Sequence, residues 1–180
     1  MKIESKRFGC LEVKEDRIIR LKGGLLGFSE LENFVLLDDA GDPSLPFKWL
    51  VSTDQPEYGF LVTDPGIFFK DYVFDLPQEE AKGLGVQAEG DIQVLVLLTV
   101  PSDPKMITAN LKGPIVINTR TLAAKQLVLG NSDFVTKHYI FLQAASSEEE
   151  VKARTEAAAN SPLAGKVPAT DAGMEVEGNQ

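Results

Sequence analysis

Thiol and imidazole chemistry are nearly missing from this chain: Cys10 is its only cysteine and His138 its only histidine. A single cysteine excludes an intrachain disulfide. It also excludes the multi-cysteine zinc sites, which take two or more thiolates with spaced partners. A nucleophile–base pair would have to join Cys10 or a serine to His138. His138 lies between Lys137 and Tyr139 in an expected strand, and no G-x-S-x-G elbow is present. It therefore reads as a packed or surface histidine, and Cys10 as a small semi-buried hydrophobe in a first strand. Phosphate-cradling motifs are missing too: there is no P-loop and no G-x-G-x-x-G after a strand. Gly83-Leu84-Gly85 follows an expected helix and reads as its stop.

Two further shortages bear on partners. No apolar run approaches the roughly 18 residues that a membrane-spanning helix needs. Basic charge is scarce: 18 Lys and Arg stand against 27 Asp and Glu, a net charge of −9. Nucleic-acid binding draws affinity from lysine and arginine neutralising phosphates, so this balance argues against direct contact with it. Nowhere do basic residues cluster with interleaved aromatics. An acidic surface suits a basic protein partner instead, which is a statement about association and not about fold. The opening residues Met1-Lys2-Ile3-Glu4-Ser5-Lys6-Arg7 mix charges and lead into no apolar stretch, unlike a secretory signal, so the cytoplasm is the expected location.

Carboxylates are the abundant acids and bases. Asp38-Asp39 with Asp42 have a spacing compatible with a cation, but the segment lacks the D-x-D-x-D-G pattern and its distal glutamate, and Asp and Gly are ordinary turn formers. Asp64 and Asp75 bracket the loop Ile67-Phe68-Phe69-Lys70-Asp71-Tyr72-Val73-Phe74. A small-ligand-binding or hydrolytic barrel using these carboxylates is the alternative reading; a glycosidase would need a carboxylate pair set across a cleft. No cofactor, metal site or catalytic residue is expected. The aromatic loop has two readings of its own. Its rings plug a barrel end, or one or two stay exposed as anchors rimmed by Asp64, Asp71 and Asp75, the arrangement of a protein-binding hot spot.

What the chain does have, through residue 145, is short β-branched and aromatic segments. Residues 8–13 and 17–21 flank Lys14-Glu15-Asp16 and read as a hairpin. Ser29-x-x-Glu32 has the form of a capping box opening one helical turn through Phe34. Residues 34–37, 47–52 and 60–63 read as strands, separated by turn-rich segments. Asp75 is placed to cap a brief helix over residues 77–84, with Pro77 in its first turn and Glu79 and Glu80 where the helix dipole favours them. Residues 91–100 form the strongest strand. Val94, Val96 and Leu98 point one way and Leu95, Leu97 and Thr99 the other, so both faces are apolar and the strand is central. Residues 107–111, 114–118, 126–129 and 134–142 complete about nine or ten short strands, whose spacing is that of an all-β barrel or sandwich. The expected fold is all-β with one or two short helices, an antiparallel, small β-barrel-like domain over residues 1–145. Residues 146–180 form an acidic, alanine-rich tail with one thinly amphipathic helix over 147–159 and expected disorder beyond it.

Four stretches in order resemble the family of the flagellar assembly factor FliW. They are Gly24-Leu25-Leu26-Gly27-Phe28 with Phe34; Pro46-Phe47-Lys48-Trp49-Leu50-Val51-Ser52; Phe60-Leu61-Val62-Thr63-Asp64-Pro65 with Tyr72 and Phe74; and Thr108-Ala109-Asn110-Leu111-Lys112-Gly113-Pro114-Ile115-Val116-Ile117-Asn118 with Gln126. The chain departs from the family pattern at Val51, where a glutamine is frequent, and at Lys137 and His138, near which an arginine is usual. The resemblance implies a β-barrel-like regulator that binds the RNA-binding translational repressor CsrA and also flagellin, which compete for it. It implies no catalysis. Flagellin export would free the regulator to bind CsrA, from outside the RNA site, and relieve repression of flagellin mRNA. The expected partner-binding residues are Asp64, Tyr72, Phe74 and Asp75 of the aromatic-acidic loop and Asn110 and Leu111 of the fourth stretch. Asn110 also reads as a strand-end residue satisfying backbone groups in a turn. Phe28, Trp49 and Ile115 are assigned to the core.

Overall fold

Side chains that alternate along seven short strands converge on one interior. The computed structural model describes residues 1–38, 46–130 and 132–141. Its strands are β1 (Lys2–Ser5), β2 (Gly9–Glu12), β3 (Ile19–Leu21), β4 (Asn33–Asp38), β5 (Phe47–Ser52), β6 (Gly59–Thr63), β7 (Ile92–Thr99), β8 (Thr108–Ala109), β9 (Ile115–Asn118), β10 (Ala123–Gln126) and β11 (His138–Tyr139), with a short α-helix, α1 (Gln78–Gly83), and helical backbone again at Ile140 and Phe141. The order β7-β6-β5-β4-β3-β10-β9 returns to β7 through the β7–β9 pairing, which closes a barrel. All of these pairings are antiparallel except β3–β10, which is parallel over Arg20↔Ala123 and Leu21↔Ala124.

Every barrel strand contributes to the interior. Ile19 and Leu21, Phe34, Leu50, Val62, Leu95, Ile115 and Ile117, and Ala124 form one buried cluster. The period of two explains this, since alternate side chains of a strand share a face. The barrel's outside is covered in three places. The β1–β2 hairpin lies over Val35 and Val51 with Ile3, Val13 and Phe8. The aromatic loop packs on Val96, Ala109 and Leu111. The segment around α1 packs on Val116 and Leu127 through Leu84, Phe74 and Leu76. β7 therefore has apolar neighbours on both faces, as its sequence predicts.

One edge of β7 is shared by two strands. Ile92 to Leu95 pair with β9, while Leu98 and Thr99 pair with β8. Three steps along β7, from Leu95 to Leu98, face six along its partner, from Ala109 to Ile115. The surplus residues bulge out between β8 and β9. They are the centre of the fourth recognisable stretch.

Several local expectations are corrected. Residues 8–13 pair with β1, as in Ile3↔Leu11, and not with residues 17–21, because after a 3-10 turn at Glu15–Arg17 Ile19 and Leu21 turn into the barrel while Ile18 packs on the outer cluster. Ser29-x-x-Glu32 opens no helix. Asp54 Oδ2 instead accepts from the N–H groups of Glu32 and Asn33 at 2.9 and 2.8 Å, which draws the chain straight into β4. Pro77, not Asp75, occupies the position before α1. Of residues 134–142 only His138–Tyr139 pair as a strand, and Leu142 lies outside the described residues. Cys10 is exposed on β2. Ile115 is fully buried, whereas Trp49 sits half-buried on the outer face, under Phe8 and the Arg7 guanidinium, which stands 4.2 Å from its ring centre. Asp39, Asp42 and residues 146–180 lie outside the described residues.

Gly24 carries the tightest turn, at φ +66°, a conformation that L side chains rarely adopt. A Cβ there would stand 2.5 Å from the Phe28 carbonyl oxygen and 2.7 Å from Ser29 Cα, both backbone atoms. Gly24→Ala is expected to lower stability by about 2 kcal/mol or more, read as a fall in the denaturant midpoint. An unchanged midpoint would contradict the turn.

Candidate partner-binding site

The bulge between β8 and β9 is where the aromatic loop is tied down. The Asn110 N–H donates to Leu97 O at 2.9 Å, which keeps the bulge against β7. The Tyr72 hydroxyl donates to Leu111 O at 2.7 Å. Burial pushes its phenol well above the usual range, so it stays a donor at any ordinary pH. Its ring packs 4.6 Å from Phe134 and 5.6 Å from Phe74, measured between centres. Phe69 is buried and Phe68 half-buried in the same cluster. The loop's rings thus cap this side of the barrel, and its most exposed large apolar residue is Val73, at 77%.

The six expected site residues fall into three places. Tyr72, Asn110 and Leu111 meet at the bulge. Leu111 is buried, and Asn110 Oδ1 is buried with no hydrogen-bond partner among the described residues. Gly113 lets the Asn110 and Gln126 amides approach: a Cβ there would lie 2.9 Å from Asn110 Nδ2 and 3.2 Å from Gln126 Nε2. Phe74 and Asp75 form one wall of a groove of about 710 Å³ whose other wall is the segment from Lys125, in β10, to Gly130, with Phe134 at its end. Asp64 stands apart at the end of β6, exposed, where its Oδ1 accepts from Gly66 N–H at 2.8 Å and caps a 3-10 turn. Asp64, Asp71 and Asp75, the carboxylates of the loop, are all exposed and do not face a closed pocket together. Among the described residues, no three His, Cys, Asp or Glu side chains group as a metal site would require.

Two polar residues of the fourth recognisable stretch hold the site together without having been expected as site residues. Gln126 donates from Nε2 to Gly113 O at 3.1 Å and accepts at Oε1 from Leu26 N–H at 2.8 Å, joining the first recognisable stretch to the fourth. Asn118 donates to Leu84 O and Gly85 O at 2.9 and 3.1 Å, fixing the end of α1 on β9. Val73 and Val128, which front the groove, went unmarked because an isolated valine in a loop or strand looks like core.

With this geometry in place, comparison with known proteins decides the family. The model of the FliW protein family matches residues 2–140. The chain belongs to the FliW family. Its FliW relatives include the flagellar assembly factor of Geobacter sulfurreducens, 43% identical over 148 residues, which are 82% of this chain and 91% of that protein. The corresponding factor of Natranaerobius thermophilus is 40% identical over 142 residues, 78% of this chain and 93% of that one. A crystal structure of a flagellar assembly factor FliW superposes with a TM-score of 0.72 at 37% identity, covering 78% of this chain and 97% of that one. The mostly β fold with its closed barrel described above is thus the FliW architecture. No helix among the described residues is long and apolar enough to cross a membrane.

Two outcomes test the ties at the site. Tyr72→Phe removes the donor to Leu111 O and leaves that carbonyl unpaired, so stability should fall by about 1–3 kcal/mol by chemical denaturation; no change would mean that the bond is not made. His138 accepts at Nε2 from Val135 N–H at 3.1 Å and meets Phe69 edge-on, and partial burial holds its pKa below the ordinary 6.5. The unfolded chain then takes up the proton first. This contribution to stability is present above pH 6.5 and is lost as pH falls through the depressed folded value. His138→Gln should flatten that acid-side slope in a pH series of denaturation midpoints; an equal slope in both proteins would refute it.

Proposed function

We propose that this FliW-family chain is a flagellar assembly regulator that binds the translational repressor CsrA and flagellin in alternative complexes. When flagellin is exported, the freed regulator binds CsrA and relieves its repression of flagellin mRNA. It acts in the cytoplasm, without catalysis and without touching nucleic acid itself. Flagellar assembly is the role named for its relatives in Geobacter sulfurreducens and Natranaerobius thermophilus. Competition needs no chemistry, because each partner withdraws the free regulator from the other by mass action.

The observation that carries a protein-binding role is the surface beside the bulge, where the 77%-exposed Val73 stands next to half-buried Phe74 and exposed Asp75 at the mouth of a large groove. An apolar anchor with an acidic rim is the anatomy of a protein contact. The net charge of −9 favours encounter with a basic partner such as an RNA-binding repressor. Asp64, Tyr72, Phe74, Asp75, Asn110 and Leu111 are proposed as the binding set, with Tyr72 and Leu111 acting by holding the loop in place.

Purified chain mixed with the cognate CsrA, and separately with the cognate flagellin, should co-elute with each on a sizing column, and flagellin should displace CsrA. Phe74→Ala combined with Asp75→Asn should weaken at least one complex by about tenfold or more. Failure of the unaltered chain to co-elute with either protein would remove the proposal.

A further inference from the structure

Beyond the end of β10 at Gln126 the chain keeps the bonding register of the barrel for three more residues. After β10, Leu127 N–H donates to Pro114 O at 2.8 Å and Leu129 N–H to Lys112 O at 2.9 Å. Successive peptide groups of an extended strand face opposite edges. The N–H and C=O of Val128 therefore face away from residues 112–114, towards the side on which β3 lies. There β3 has already ended. Lys22 N–H, donating to Ala124 O at 2.9 Å, is the last backbone bond across that seam, and the chain turns away at Gly23 and Gly24, both at positive φ. Among the described residues no backbone group pairs with the N–H or C=O of Val128.

Natural proteins guard such an edge with lysine, proline, a bulge or a covering element, because an unpaired edge is a template for another strand. This edge, Gln126-Leu127-Val128-Leu129-Gly130, carries neither a charge nor a proline. Val128 is 62% exposed. The groove of about 710 Å³ runs along it, with Val73, Phe74, Leu127 and Phe134 supplying apolar lining. Lys125, at its head, is occupied by Glu80 at 2.5 Å, which leaves exposed Asp75 as the uncompensated charge of the wall.

We propose that residues 126–130 dock an extended segment of a partner protein by strand addition, with alternate apolar side chains in the groove and a lysine or arginine against Asp75. Main-chain bonds to Val128 supply affinity, and the groove and Asp75 select the sequence. The inference rests on the reading of the chain as a protein-binding regulator and names how that binding is made.

The test uses the full chain and a fluorescein-labelled peptide, Lys-Val-Thr-Val-Lys-Val, with the same peptide N-methylated on alternate nitrogens as a backbone control. Binding of the first should slow hydrogen exchange at the Val128 amide by about tenfold or more, and the methylated peptide should leave it unchanged. Val128→Pro deletes the outward N–H without touching either bond to residues 112–114, and should weaken peptide binding by about tenfold. Val128→Thr keeps the N–H and should retain affinity within about threefold. No binding of the unmethylated peptide, equal binding of both peptides, or unchanged binding by Val128→Pro would each overturn strand addition, and the methylated control decides even if that variant folds poorly. Cognate CsrA and flagellin run against the unaltered chain separate the two readings. Retained complexes with a failed peptide arm remove only strand addition. Lost complexes remove the regulator reading, while the peptide arm still judges the edge.

Discussion

The constraint on which the rest of this structure depends is that one edge of β7 must serve two partners. β9 takes the half that closes the barrel and β8 takes the half beyond it, so the chain between them has more residues than the ladder accepts. The excess leaves the sheet as a bulge and turns the Leu111 carbonyl to where the Tyr72 hydroxyl reaches it. That bond, together with the burial of Phe69 against Val96 and Ala109, gives the aromatic loop its position. Phe69 and Phe68 settle on the outer face of β7, and Phe74 is carried toward Leu84 and Leu127. The groove beside Val73 and Val128 is what remains between this anchored loop and the segment leading out of β10.

The stretches that make the family recognisable act mainly inside the molecule. Gln126 joins the Leu26 amide of the first stretch to the Gly113 carbonyl of the fourth. Ser52 of the second is buried and accepts from the N–H groups of Asp54 and Gln55 at 3.2 and 3.1 Å, shaping the turn from which Asp54 fastens the start of β4. Asn118 fastens α1. Each is a buried polar group whose loss would strand a backbone donor or acceptor, a cost of about 1–3 kcal/mol. An exposed surface is under no such constraint, and the one beside the groove carries Val73 and Val128, which stand out by no pattern of their own.

Much of the fold was legible residue by residue. The two apolar faces of residues 91–100 announced a central strand, and Pro77 with Glu79 and Glu80, ahead of the Gly83-Leu84-Gly85 stop, announced helix α1. Pairing was legible only in part. Residues 8–13 looked like the partner of 17–21 because they are neighbours in sequence, yet their apolar side chains, Phe8 and Leu11, found a better surface on β4 and β5, with β1 as partner. The expected site was legible as composition, a loop dense in rings and acids. Sequence did not show that Tyr72 and Leu111 form a clasp while Val73 takes the exposed place.

By itself the sequence determined what each segment is and which way its side chains alternate, because strand periodicity, turn glycines and helix-end charges are properties of neighbouring residues. It also determined the net charge of −9 and that the chain holds one thiol and one imidazole. Tertiary structure decided which strand meets which, and so where the bulge falls, which rings are covered and where β3 parts from β10, at the Lys22–Ala124 bond. Those outcomes follow from contacts between residues distant in the chain: Leu26 with Gln126, Tyr72 with Leu111, Lys22 with Ala124. A hydrogen bond of that kind depends on both ends arriving together, and local pattern specifies only one end at a time.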